Sequence, residues 1–266
     1  MASLKNQVVW LTGASSGIGE GLAYELINKG AKIILSARRK EELEKVKGNC
    51  PERLQANIKI LPLDLSQKDT LKLSVQAAIQ AFGRVNVLIN NGGISQRSFA
   101  KDTTVEVDRQ LMEVNYFGTI ALTKYLLPHF LEQKKGHYVV VTSLTGKFGS
   151  PYRSGYAAAK HALHGFFDSL RAEVWKNKIL VTIVAPGFIQ TSISYSALRG
   201  DGKPLKQMDD AQAKGMPIKK CAKAIVKAIE KEKREVYVGG RETFGIYIKR
   251  FFPGLFSRII RKAKVR

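Results

Sequence analysis

Cysteine is nearly absent. Cys50 and Cys221 are the two in 266 residues, far apart and in no spacing that marks a disulfide framework or a zinc site. Their scarcity fits a reducing compartment. Histidine is as sparse: of four, His161 and His164 stand three apart on a segment with helical spacing, outside any metal-ligand pattern, so they read as packing or surface residues and no metal is expected. Long apolar runs are missing too, and none approaches the roughly 20 residues that a membrane-spanning helix needs. The first run, residues 8–11, leads straight into a Gly-rich turn; it is too short for a signal core and no cleavage site follows it. A cytoplasmic setting is the expectation. Acid is short relative to base: 22 Asp and Glu against 44 Lys and Arg give a formal net charge of +22. Such an excess speaks to partners and not to fold. No helix-turn-helix, finger or aromatic RNA-binding signature accompanies it, so a specific nucleic-acid role is not expected.

What is present is a globular composition, 44% hydrophobic with 23 glycines, on a chain of ordinary length for one α/β domain. Apolar, β-branched runs recur at 8–11, 32–35, 58–63, 85–89, 138–141, 179–184 and 236–238. Most are continuous rather than alternating, as strands covered by helices on both faces are. Helical spacing fills the intervals, for example Leu22, Leu26 and Ile27, or Leu71, Val75, Ala78, Ile79 and Phe82. The alternation predicts one doubly wound, mostly parallel seven-stranded sheet with helices on both faces, over residues 1–240. Residues 188–217 break the pattern after a strand and belong at the carboxyl edge of the sheet, where open α/β sheets bind ligands.

The first run enters Thr12-Gly13-Ala14-Ser15-Ser16-Gly17-Ile18-Gly19, and a helix follows at once. Gly13 turns sharply, Gly17 lets the backbone approach a pyrophosphate, and Gly19 lets helix pack close to strand. Amides at the helix start, with the Ser15 and Ser16 hydroxyls, suit an anion. At the end of the second run an acid would accept hydrogen bonds from an adenosine ribose. None occurs until Glu41; Arg38 and Arg39 stand there instead, planar cations suited to a 2′-phosphate, and point to NADP(H). The Thr-Gly-x3-Gly-x-Gly spacing resembles the short-chain dehydrogenase/reductase family, whose doubly wound (Rossmann) fold agrees with the strand pattern. The resemblance covers residues 5–240. It implies adenine binding by Asp64 with its neighbour Leu65; an N-cap for the next helix is compatible with that aspartate.

Ser143 follows the fifth run, Tyr156 lies thirteen residues on, and Lys160 four after that. Tyr-x3-Lys on a helix places both side chains on one face, where an ammonium would stabilise tyrosinate and bring its proton affinity towards working pH. A chance Tyr-x3-Lys is a surface pair, but here the upstream serine and the Gly-rich turn accompany it. The family resemblance implies that Tyr156 exchanges a proton with a carbonyl or alcohol oxygen, that Ser143 orients that oxygen, and that Lys160 holds the nicotinamide ribose and acidifies Tyr156. It matches Asn115 to an asparagine that holds a relay water; a kink in a helix is the plainer reading of the same residue. Asn91 and Gly92, in Asn90-Asn91-Gly92-Gly93, would lie beside the cofactor. Together with Ile94-Ser95-Gln96-Arg97-Ser98 that variant resembles the branch called dehydrogenase/reductase family member 7. Pro186, Gly187, Ile189 and Thr191 match a Pro-Gly segment that contacts the nicotinamide.

The resemblance therefore implies an NADP-dependent oxidoreductase acting on a small carbonyl or alcohol, in a homodimer or homotetramer built on helices near 104–130 and 154–177. The pocket would be lined by 93–99, His137, 144–152 and 188–217, whose mixed apolar character suits ketones, aldehydes, steroids, retinoids or lipids alike. A non-catalytic nucleotide sensor on this fold would be expected to have lost Ser143, Tyr156 or Lys160. Residues 241–266 form a basic, apolar extension: seven cations and no acid occupy the last eighteen residues. Leu255, Phe256, Ile259 and Ile260 recur there at helical spacing, which suits packing over the pocket or a subunit interface, or peripheral contact with a membrane.

Overall fold

The computed structural model describes residues 3–263. Seven strands, β1 Val8–Thr12, β2 Lys32–Ser36, β3 Ile58–Ile60, β4 Val87–Asn90, β5 Gly136–Val141, β6 Ile179–Pro186 and β7 Glu235–Val238, form one sheet. Its order is β3-β2-β1-β4-β5-β6-β7, with every pairing parallel. The helices are α1 Gly17–Asn28, α2 Lys40–Gly48, α3 Lys68–Phe82, α4 Val105–Met112, α5 Gly118–Glu132, α6 Ser154–Val174, α7 Asp210–Ala213, α8 Ile218–Glu230, α9 Phe244–Phe251 and α10 Pro253–Lys262.

The continuous apolar runs are explained by the two cores they feed. Successive strand residues point to opposite faces. Val9, Leu11, Ile33, Leu35 and Val139 pack with Leu22, Leu26 and Ile225 on one side. Val8, Trp10, Ile34, Leu88 and Tyr138 pack with Val75, Leu126 and Phe167 on the other. Full burial of one such side chain contributes about 1.5–3 kcal/mol, so neither face tolerates a polar substitution. Trp10 keeps its indole satisfied by donating to Ser36 Oγ at 2.8 Å.

Two strands are shorter than their apolar runs. The third run pairs only over Ile58–Ile60, although Leu61 and Leu63 still donate to the main chain of Leu35 and Ala37. In the fourth, Val85 is buried ahead of the strand, its amide capped by His129 Nε2. The sequence visits β2 and β3 on one side of β1, then crosses to β4 on the other. The loops leaving β1 and β4 therefore part, and a crevice opens at that reversal.

Candidate active site

A cleft of about 810 Å³ runs along the carboxyl edge of the sheet. Its floor is built by the turns after β1 and β4. Gly13 and Gly17 take φ of +63° and +59°, values that favour glycine. A Cβ on Gly13 would lie 2.7 Å from Gly92 Cα, so the two turns touch. Asn91 locks them by donating from Nδ2 to the carbonyls of Thr12 and Gly13, both at 3.1 Å. Thr12 Oγ1 accepts from the amides of Asn91 and Gly92 at 3.0 Å. Helix α1 starts at Gly17 without a side-chain cap from Ser16; its first amides have no partner within the helix and suit a phosphate. Ser15, Ser16, Gly17 and Ile18 all line the cleft. Gly19, placed among the cofactor-binding glycines for its close packing of helix on strand, does not itself line the cleft. It is buried, and a Cβ there would strike Gly13 O and the Asn91 side chain, so it serves the packing of α1 on the turn.

Arg38 and Arg39 lie exposed at one end of the cleft, beside Ser36 and Ala37. Asp64 and Leu65 face the same end. The N-cap reading of Asp64 does not hold: α3 begins four residues later, and the carboxylate instead accepts from the Ser66 amide and hydroxyl at 2.9 and 2.7 Å. Leu65 supports the Asn-Gly turn, since a Cβ on Gly92 would meet its Cδ1 at 2.8 Å.

Ser143, Tyr156, Lys160 and Asn115 converge at the other end. Ser143, just after β5, lies where its hydroxyl favours the ionised form of the Tyr156 phenol; its Oγ accepts from the Thr145 amide at 3.2 Å. One turn along α6, the buried Lys160 Nζ donates to Val141 O at 3.0 Å and lies 5.7 Å from the Tyr156 ring centre. Burial lowers this ammonium to about 8. Burial also raises the Tyr156 phenol, opposed by the Ser143 hydrogen bond and by the positive charge of Arg97 and Arg153. The two arginines thereby favour the tyrosinate against the burial that opposes it. Asn115 sits in a π-helical turn, Glu113–Phe117, between α4 and α5. Its Oδ1 accepts from Ile94 N at 2.9 Å and its Nδ2 donates to Ile94 O at 3.0 Å.

Pro186, Gly187, Ile189 and Thr191 line the cleft beyond β6. Two residues not anticipated hold them. Glu242 Oε1 accepts from Phe188 N at 3.0 Å, and Gln212 Nε2 bonds Ile189 O and, at 3.1 Å, Thr191 Oγ1. Gln96 was likewise missed as a fastener: its Oε1 accepts from the amides of Gly155 and Tyr156 at 2.9 and 3.2 Å, capping α6. Beside it Arg97 Nε meets Asp209 Oδ2 at 2.5 Å, and Arg153 Nη2 approaches the same oxygen at 3.5 Å, all three side chains buried. His137, expected in the pocket, is not there. It stands at the amino end of β5, bonded to Thr182 Oγ1 at 2.8 Å, and burial lowers it to about 4. His164 is buried against Thr142 and His161 is exposed, as packing and surface residues are.

The family model described as short chain dehydrogenase matches residues 7–201. The chain belongs to the short-chain dehydrogenase/reductase family. Members of this family are oxidoreductases acting on alcohol and carbonyl groups with a nicotinamide cofactor. The chain is 42% identical over 265 residues to an Anopheles gambiae dehydrogenase/reductase SDR family protein 7-like, covering 97% of this chain and 83% of that one. It is 42% identical over 239 residues to Homo sapiens dehydrogenase/reductase SDR family member 7, covering 88% and 70%, and 40% identical to Mus musculus member 7B, covering 97% and 81%. A Streptomyces avermitilis short-chain dehydrogenase superposes with a TM-score of 0.81 at 27% identity over 97% and 96% of the two chains. A Burkholderia phymatum family member in complex with NAD shares the fold, with a TM-score of 0.83 at 20% identity over 100% and 99%.

Proposed function

We propose that this protein is an NADPH-dependent reductase of apolar carbonyl compounds, with residues 1–240 as its catalytic domain, about 188–217 as its substrate loop and 241–266 as a C-terminal extension. The observation that carries the cofactor choice is the pair Arg38 and Arg39, exposed at the end of the cleft where an acid would read a ribose hydroxyl. The glycine cradle fits a pyrophosphate: a side chain on Gly13 would fill the space between the two turns, and one on Gly17 would close on Thr191.

Bound nicotinamide supplies the hydride that reaches the carbonyl carbon. Tyr156 gives its phenolic proton to the carbonyl oxygen, completing the alcohol. Ser143, which lines the cleft beside that phenol, orients the oxygen. The charge of Arg97 and Arg153 stabilises the tyrosinate left behind. Lys160 holds the ribose end of the cofactor, and Asn115 keeps the 91–95 segment in register with it. The pocket walls that discriminate substrates include Phe148, Phe188, Leu198 and the inner face of α9 and α10, which favours an apolar ketone, aldehyde, steroid, retinoid or lipid.

Val105, Phe117, Tyr125 and Leu131 are exposed along the α4–α5 stretch, which supports a homodimer or homotetramer through those helices. No helix among the described residues is long and apolar enough to cross a membrane; a cytoplasmic setting, with peripheral membrane contact as the alternative, completes the reading. The test is turnover of a panel of apolar carbonyls with NADPH and with NADH, followed by cofactor absorbance. Preference for NADH, or no turnover of any carbonyl, overturns it.

A further inference from the structure

Six of the fourteen large apolar side chains that are exposed among the described residues fall between positions 244 and 259: Phe244, Tyr247, Phe251, Phe252, Leu255 and Ile259. They form two stripes joined by Phe252, the residue between the helices. Phe244, Tyr247 and Phe251 recur at i, i+3 and i+7 along α9, and Leu255 and Ile259 at i and i+4 along α10, so each set shares one helix face. The opposite faces are occupied. Phe256 is buried against Phe148 at 5.0 Å between ring centres, with Ile246, Ile248 and Ile260 packed in the same cluster. The helices are therefore anchored inward and apolar outward.

Cations flank the stripe. Arg258 and Lys262 follow Leu255 and Ile259 by three residues each, Lys249 and Arg250 close α9, and no acid occurs after Glu242. All four of these cations are exposed. An aromatic face edged by cations matches the interface of an anionic bilayer, where rings enter the acyl boundary and cations meet headgroups. The stripe also borders the cleft, because Phe244 and Ile259 line it while remaining 64% and 45% exposed.

We infer that the outer face of α9 and α10 seats the protein on an anionic lipid bilayer with the cleft mouth against the lipid, so that carbonyl substrates dissolved in the membrane enter directly. The substrate half rests on the reductase reading given above; the docking half does not.

The test is sedimentation of the full chain with vesicles of phosphatidylcholine plus phosphatidylserine, and with phosphatidylcholine alone. Binding to the anionic vesicles is expected at low salt, weakened at high salt. Because a basic protein binds anionic surfaces by charge alone, the deciding variant is Phe251→Ser with Phe252→Ser, two residues outside the cleft lining. It should lower the partition by roughly tenfold per phenylalanine, the cost of an unburied aromatic ring. Full-length protein that stays in the supernatant, or a double variant that binds as well as the parent, overturns the docking. So does a double variant that changes oligomeric state and leaves vesicle binding intact, which would make the stripe a contact between copies. With NADPH, the variant should lose turnover of a long-chain aldehyde held in vesicles and keep turnover of a short, water-soluble one. Equal loss of both, or of neither, overturns the substrate route. A parent that turns over neither aldehyde yet still binds vesicles points to a failed reductase reading and a sound docking surface.

Discussion

Arg97 and Asp209 are 112 residues apart in sequence and 2.5 Å apart in the fold, both buried. Arg97 leaves the turn after β4, close to Tyr156; Asp209 precedes α7 in the 188–217 loop. The pair therefore ties the 188–217 loop to the wall that carries the phenol. Arg153, three residues before Tyr156, leans on the same carboxylate.

Removing one partner leaves a buried charge uncompensated, at a cost of about 3–5 kcal/mol, whereas replacing both by apolar groups of similar size is often near neutral. Asp209→Asn is thus expected to destabilise more than the double variant Arg97→Met with Asp209→Leu. Chemical denaturation of the two variants checks this ordering. If the double variant is the less stable, the ion pair itself contributes net stability.

Tyr156→Phe keeps the ring and removes the proton. Turnover should fall by about two to four orders of magnitude, the contribution of a positioned acid, while NADPH affinity, read by fluorescence titration, stays within about twofold. Burial holds the parent phenol above its usual 10.0, so carbonyl reduction should be level from neutral pH into the alkaline range and decline only above it.

Arg38→Ala is expected to weaken NADPH binding by about 1.5–3 kcal/mol, the range for a hydrogen bond to a charged group, and to leave NADH binding nearly unchanged. Calorimetric titration with both cofactors separates this from general damage to the cleft, which would weaken the two equally.

Acid should destabilise the fold through its buried histidines. His137 and His164 are held at about 4 and about 3 against an ordinary 6.5. Between 6.5 and those lowered values the unfolded chain binds more protons than the fold, so stability present above that range is lost as pH falls through it. Each histidine accounts for roughly 3–5 kcal/mol at full shift. His137→Gln should flatten part of the loss between neutral and acid thermal melts.

The seven strand runs, the glycine-rich turn and the Ser143–Tyr156–Lys160 cluster were legible because each is written locally, as runs, glycine spacing or a helical offset. What escaped was non-local. Gln96 caps a helix that begins nearly sixty residues later, and nothing around Gln96 marks it for that task. His137 was misplaced because an apolar run does not say which of its ends reaches the ligand edge; it lies at the far end of β5 from Ser143. Asp64 resembles a helix cap in sequence, but the helix starts later and the carboxylate closes its own turn. In the tail, Leu255, Phe256, Ile259 and Ile260 were visible at helical spacing, while their division into a packed side and an open one required the position of Phe148.

Asn115 joins Ile94 by one donated and one accepted bond, as two residues in a β-ladder join each other. A side chain at a widened helical turn thereby acts as a surrogate strand for a segment that has none. Ile94 lies in a loop beside Tyr156, yet its amide should exchange with solvent as slowly as amides in the neighbouring strands. A loop on the border of the cleft is thereby held in place by a side chain reaching over from a neighbouring helical turn.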